Sequence, residues 1–110
     1  MTEVEIPLPH GASLDGLDSA IAATCAALGL TQVLSGSAKQ YPGSRHWHFK
    51  QGRTAGTLEI TLWPAKRRMW LKVAHGREGA WMSETLPKVR EALAAVVSKP
   101  AKVDPRAGDR

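Results

Sequence analysis

Residues 57–73 read TLEITLWPAKRRMWLKV, and this stretch decides the fold. On both sides of the central PAKR tetrapeptide, apolar and polar residues alternate with a period of two, which is typical of an antiparallel sheet with one buried and one solvated face. A turn over residues 64–67 places Glu59 opposite Lys72. The same register places Thr61 opposite Trp70. The stretch therefore predicts a β-hairpin whose apolar side chains all lie on one face.

The flanking segments extend this hairpin into a larger sheet with helices. Residues 46–50 alternate in the same way, and residues 31–35 form a further short strand. Helical spacing of apolar residues predicts one helix over 14–28, ended by Gly29, and a second over 84–98 with Pro87 in its first turn. Residues 3–8 also alternate, and Pro7 restricts them to an extra strand at an edge of the sheet.

The order of these elements is α-β-β-β-β-α, preceded by the possible N-terminal edge strand. Each helix has one apolar stripe and each strand one apolar face, so the economical arrangement is an α+β two-layer sandwich. In it, an antiparallel four-stranded meander sheet carries both helices on one face. Residues 1–98 form this single domain, and residues 99–110 are predicted to be a disordered tail. The other face of the sheet is left open.

Length and composition exclude several classes of protein. The 110 residues are enough for one compact domain. The single cysteine, Cys25, excludes a disulfide framework and falls on the apolar stripe of the first helix. Charges and prolines interrupt the N-terminal segment, and no apolar run approaches the length of a membrane span, so we expect neither a secretory signal nor a membrane partner. A cytoplasmic location is the expectation.

The net charge of +5 is unevenly distributed along the chain. Residues 1–38 contain four acids and no Lys or Arg, whereas residues 39–77 contain nine Lys or Arg and one acid, Glu59. The same basic segment holds three of the four tryptophans and three of the four histidines. Since this segment forms the sheet, its charges and rings are expected to share one oriented surface.

Alternation places the candidate functional residues on the open face and at the adjoining hairpin tip. Glu59 lies at the centre of a predicted row between His48 and Lys72, and Tyr41, in the long loop before residue 46, could overhang the face. The predicted contact residues are His46, His48, Lys50, Glu59, Trp63, Arg67, Arg68, Trp70 and Lys72.

The leading hypothesis is a small non-enzymatic binding module for an anionic partner, with nucleic acid as the first candidate. Lys and Arg would contact phosphates, while Trp63 and Trp70 would stack on bases. No RRM, KH or zinc-finger motif is present, so neither RNA nor DNA is favoured.

Two alternatives remain open. An exposed pair of tryptophans is also typical of a protein–protein or homodimer interface at the open face. The pattern of His46 and His48 on one side of a strand, with Glu59 nearby, is compatible with a metal-dependent or acid–base enzyme. The pattern is too unspecific to assign a catalytic residue, a metal ligand or a cofactor.

Overall fold

The computed structural model describes residues 2–11, 13–73 and 79–98, which form one sheet and one layer of helices. The strands are β1 (Thr2–Ile6), β2 (Thr31–Gly36), β3 (Arg45–Lys50), β4 (Leu58–Trp63) and β5 (Arg68–Val73). The helices are α1 (Leu17–Ala27) and α2 (Met82–Ser98), and a 3-10 turn, Pro64–Lys66, joins β4 to β5. The predicted disordered tail, residues 99–110, lies outside the described residues.

The sheet is antiparallel throughout, in the order β1-β5-β4-β3-β2. The predicted α+β fold is confirmed, and the possible N-terminal strand is present as the fifth strand. Strands β1 and β2 follow each other along the chain but lie at opposite edges of the sheet, with α1 between them in the sequence. The meander β2 to β5 is therefore closed at one edge by the N-terminal segment.

The predicted register is confirmed at each pair. Glu59 pairs with Lys72 and with His48, at the centre of the sheet. This register places the apolar residues of β3, β4 and β5 against the helices. The buried core includes Trp47, Phe49, Leu58, Ile60, Leu62, Met69, Leu71, Val73, Leu17, Ile21, Cys25, Val89 and Leu93.

Helix α1 begins later than predicted and ends as predicted. Gly16 adopts a left-handed conformation with φ of 72°, which keeps residues 14–16 out of the helix. At the other end, Gly29 has φ of 84°, and the amide of Leu30 donates to the carbonyl of Cys25 at 3.0 Å. This is the Schellman arrangement that glycine favours at helix ends.

Helix α2 begins earlier than predicted, at Met82. The amide of Thr85 donates to the carbonyl of Trp81 at 3.0 Å, so the helical hydrogen bonds already start there. The prediction that Pro87 lies in the first turn is consequently wrong. Pro87 is an interior residue that lacks the N–H an ordinary residue would donate to the preceding turn.

None of the helices in the described ranges has the length and the apolar character needed to span a bilayer.

Candidate functional site: the open face of the sheet

Two rows of paired residues cross the open face, the side of the sheet opposite the helices. From β1 to β2, the first row consists of Glu3, Lys72, Glu59, His48 and Leu34. The second row consists of Glu5, Trp70, Thr61, His46 and Gly36. Trp63 pairs with Arg68 beyond the second row, and Lys50 pairs with Thr31 beyond the first. All the predicted strand residues of the site therefore share this face.

The open face is not basic, contrary to the sequence-based expectation, because β1 contributes two acids to it. The strands place three cations on this face and an equal number of acids. The cations are Lys50, Arg68 and Lys72, and the acids are Glu3, Glu5 and Glu59. The sequence showed Glu3 and Glu5 alternating with apolar residues, but it did not show that their strand pairs with β5. The positive segment and the negative segment of the chain are thus brought together on one surface.

Arg68 is already held by a protein carboxylate. Its Nε and Nη2 donate to the two carboxylate oxygens of Glu5 at 2.9 and 2.7 Å, and its guanidinium lies 4.6 Å from the ring centroid of Trp70. The hydrogen bond from Arg68 lowers the pKa of Glu5, and the same bond raises the pKa of Arg68. A phosphate would have to compete with this fork-shaped pair.

An aromatic cluster of Tyr41, Trp63 and Trp70 closes one half of the open face. The Tyr41 ring lies 5.0 Å from the Trp63 ring and 5.1 Å from the Trp70 ring, and Trp63 Nε1 donates to the carbonyl of Pro42 at 2.9 Å. A turn with Gly43 at φ of 82° brings Tyr41 into place. Trp70 is only 3% exposed, so it is not the exposed ring that the sequence predicted.

The polar side chains in the other half of the open face are partly exposed, and we call this part the bare half. It consists of Leu34, His46, His48, Lys50, Glu59 and Lys72, and the exposed Glu3 of β1 adjoins it beside Lys72. The rings of His46 and His48 stack with centroids 5.4 Å apart, and all the polar members are partly exposed. Lys50 Nζ donates to the carbonyl of Gly56 at 2.9 Å, which directs it toward the β3–β4 loop.

The bare half includes the residues that the sequence made candidates for metal binding or acid–base chemistry. Among the described residues, no group of three or more His, Cys, Asp or Glu is placed to hold a metal ion. The distance from His48 Nε2 to Glu59 Oε2 is 3.9 Å, which is longer than a hydrogen bond. Cys25 is buried, and burial raises the pKa of its thiol to about 12, so it is unsuited to be a nucleophile.

The remaining predicted residue, Arg67, lies at the β4–β5 turn rather than on the sheet. It has a left-handed φ of 50°, and its Nη2 donates to the carbonyl of Pro9 at 3.0 Å. Lys66 beside it is exposed, as are Lys39 in the Tyr41 loop and Arg53 in the β3–β4 loop. The exposed cations of the basic segment are therefore concentrated in loops around the sheet.

A groove of about 390 Å³ lies on the helix side, between Val4 of β1 and the Leu86, Pro87, Arg90 and Glu91 face of α2. It shares no residue with the open face.

Comparison of the chain with protein-family models, curated proteins and solved structures found no match.

Proposed function

We propose that the protein is a small cytoplasmic binding module whose bare half engages an anionic partner, with nucleic acid as the first candidate. The observation that carries the proposal is the bare half itself, where two lysines and two stacked histidines lie partly exposed around Glu59. The exposed lysines at positions 39 and 66 add positive charge in the loops around the sheet.

The geometry changes which residues would make the contacts. Trp70 cannot stack on a base while Tyr41 covers it, and Arg68 is engaged by Glu5. The phosphate contacts would instead come from Lys72 and from Lys50, whose Nζ would exchange the carbonyl of Gly56 for a phosphate oxygen. Two such contacts to a single strand give a slope of log K against log salt of about −1.4. Binding should therefore be modest and should weaken as salt is added.

Fluorescence anisotropy with labelled single-stranded and duplex oligonucleotides, at about 50 and 200 mM salt, tests the proposal. We expect Lys72→Gln to weaken binding and to reduce the slope by about 0.7. Lys88→Gln is the matched control, because Lys88 is an exposed lysine of α2 on the other side of the molecule. If no oligonucleotide binds saturably at low salt, or if both variants weaken binding equally, the bare half is not the binding surface.

Protein interaction is a second candidate function, and it is favoured by a different observation. All six residues of strand β2 are exposed. Among the described residues, the exposed large hydrophobic side chains are Val33 and Leu34, and both belong to this strand. An exposed apolar strand at the edge of a sheet is a common site of strand pairing between chains.

A further inference from the structure

Strand β2 lies at an edge of the sheet and carries neither a charge nor a proline. Its inner side pairs with β3, and no described strand pairs with its outer side. Val33 and Leu34, at its centre, are 53% and 47% exposed. The strand, TQVLSG, contains no charged residue and no proline, and its one irregularity is a bulge between Gln32 and Leu34. Charges, prolines, bulges and covering elements are the devices by which most edge strands avoid pairing with other chains, and of these β2 has the bulge and the contact with α1.

The opposite edge of the sheet has both charges and a proline. Strand β1 carries Glu3 and Glu5 and is followed by Pro7. The two edges of the sheet therefore differ in charge and in proline. This difference identifies β2 as the edge that can pair with a strand of another chain.

The absence of charge continues from β2 into α1. Residues 19–38 contain no Asp, Glu, Lys, Arg or His, although 23% of the chain is Asp, Glu, Lys or Arg. The exposed positions of α1 are Ser19, Ala23, Ala26 and Ala27. Helix α2, in contrast, exposes Glu84, Lys88, Arg90 and Glu91. Since α1 contacts β2, a helix surface that is uncharged from Ser19 onward lies next to an uncharged strand edge, and Asp18 at the start of α1 is paired with Arg45 at 3.2 Å.

We propose that this side is a homodimer interface in which β2 of one copy pairs antiparallel with β2 of a second copy. This inference rests on the second candidate function and is independent of anion binding. A twofold axis perpendicular to the sheet joins the two edges into one continuous ten-stranded sheet and brings Val33 and Leu34 of one copy near the same segment of the other. The same axis keeps both α1 helices on one face of the joined sheet, where their alanines permit close approach.

A second copy fits this surface better than a charged partner does. The surface has no charge to complement, and antiparallel pairing of a strand with its own copy is self-complementary by symmetry. A six-residue strand pair with one helix contact is a small interface, so we expect a dissociation constant on the order of micromolar. Each copy carries a net charge of +5, so added salt should screen their repulsion and strengthen the dimer. Salt should weaken nucleic-acid binding, and the two proposals are thereby distinguished.

Sedimentation equilibrium of the full chain, from about 1 µM to about 1 mM protein at two salt concentrations, tests the proposal. We expect the mass to rise from 11.9 kDa to twice that value, and to do so at lower protein concentration when salt is added. Leu34→Lys on β2 and Ala23→Lys on α1 should each weaken the dimer by about tenfold or more, because each brings like charges together across the axis. Their matched controls are Thr2→Lys on β1 and Ala95→Lys on α2, which add the same charge at exposed positions elsewhere.

Amide hydrogen exchange provides a readout that needs no variant. Exchange in residues 31–36 should slow as protein concentration rises, while exchange in residues 2–6 should not change. A mass that stays at 11.9 kDa over the whole range would overturn the proposal and leave the β2 edge for a different partner. Association that survives both interface variants, or exchange in β2 that is independent of concentration, would show that the copies do not associate through β2 and would likewise overturn the proposal.

Discussion

Replacing Gly79 with alanine is expected to destabilise the protein, because the backbone of the β3–β4 loop lies directly against this residue. A Cβ at Gly79 would overlap the carbonyl oxygen of Ala55 and would lie 2.7 Å from Trp81 Nε1. Viewed from the loop, a Cβ at Gly56 would lie 2.8 Å from the Gly79 Cα. This close approach lets Trp81 Nε1 donate to the carbonyl of Ala55 at 2.8 Å, which fastens the loop to the start of α2.

The magnitude follows from three contributions. Overpacking against backbone atoms costs about 1–3 kcal/mol. Loss of the Trp81 hydrogen bond costs about 1 kcal/mol. Alanine also lowers the conformational entropy of the unfolded chain relative to glycine, which stabilises the folded protein by about 0.4–1 kcal/mol. The net loss is about 2 kcal/mol, which lowers the Tm of a domain of this size by about 8 °C.

Thermal unfolding followed by circular dichroism measures this loss. Gly36→Ala is the matched control, because a Cβ at Gly36 meets nothing within 4 Å and this residue has no positive φ. We expect the control to raise the free energy of unfolding by no more than about 1 kcal/mol, because only the contribution from the unfolded chain applies to it. Both variants should be compared at low protein concentration. Gly36 belongs to β2, the proposed dimer edge, and dimerisation would otherwise contribute to the measured stability. Equal Tm values for the two variants would refute the close packing of the loop against α2.

Two further predictions concern the open face. Tyr41→Ala should cost about 1–2 kcal/mol of stability and increase quenching of tryptophan fluorescence by acrylamide, because it uncovers Trp70; unchanged quenching would contradict the aromatic cluster. The Arg68 hydrogen bond lowers the pKa of Glu5 from its ordinary value of 4.5, so the stability that the pair contributes is complete above that value and is lost as the pH falls through the lower folded-state pKa. The difference in free energy of unfolding between the protein and Glu5→Gln should therefore shrink between about pH 6 and pH 3, and a constant difference would argue against the ion pair.

The hairpins could be predicted from the sequence because the residues that specify them are close together in the chain. Alternation assigns every residue of β3, β4 and β5 to a face, and the four-residue turn fixes the pairing of Glu59 with Lys72. Gly29 marks the end of α1 for a similar reason, since the left-handed conformation needed there is easy for glycine.

The electrostatics of the candidate site could not be predicted because they depend on a pairing between distant segments. Glu5 reaches Arg68 only because β1 pairs with β5, and no local pattern specifies that partner. The cover over Trp70 depends on the path of a loop, which periodicity does not describe. A signal was present in both cases. The acids of β1 complement the cations of β5, and the turn at Gly43 directs Tyr41 over the sheet.

The placement of β1 and β2 at opposite edges has a consequence for the order of folding. As the chain emerges during synthesis, β1 is made first, but its partner β5 follows only after α1 and the other three strands. The meander from β2 to β5 can form by successive local hairpins, whereas the β1–β5 pairing closes the longest loop in the sheet and is entropically the most expensive. We therefore expect β1 to join the sheet last. Until then, Val4 and Ile6 lack their strand partner, and the cations of β5 lack the acids that balance them in the finished fold.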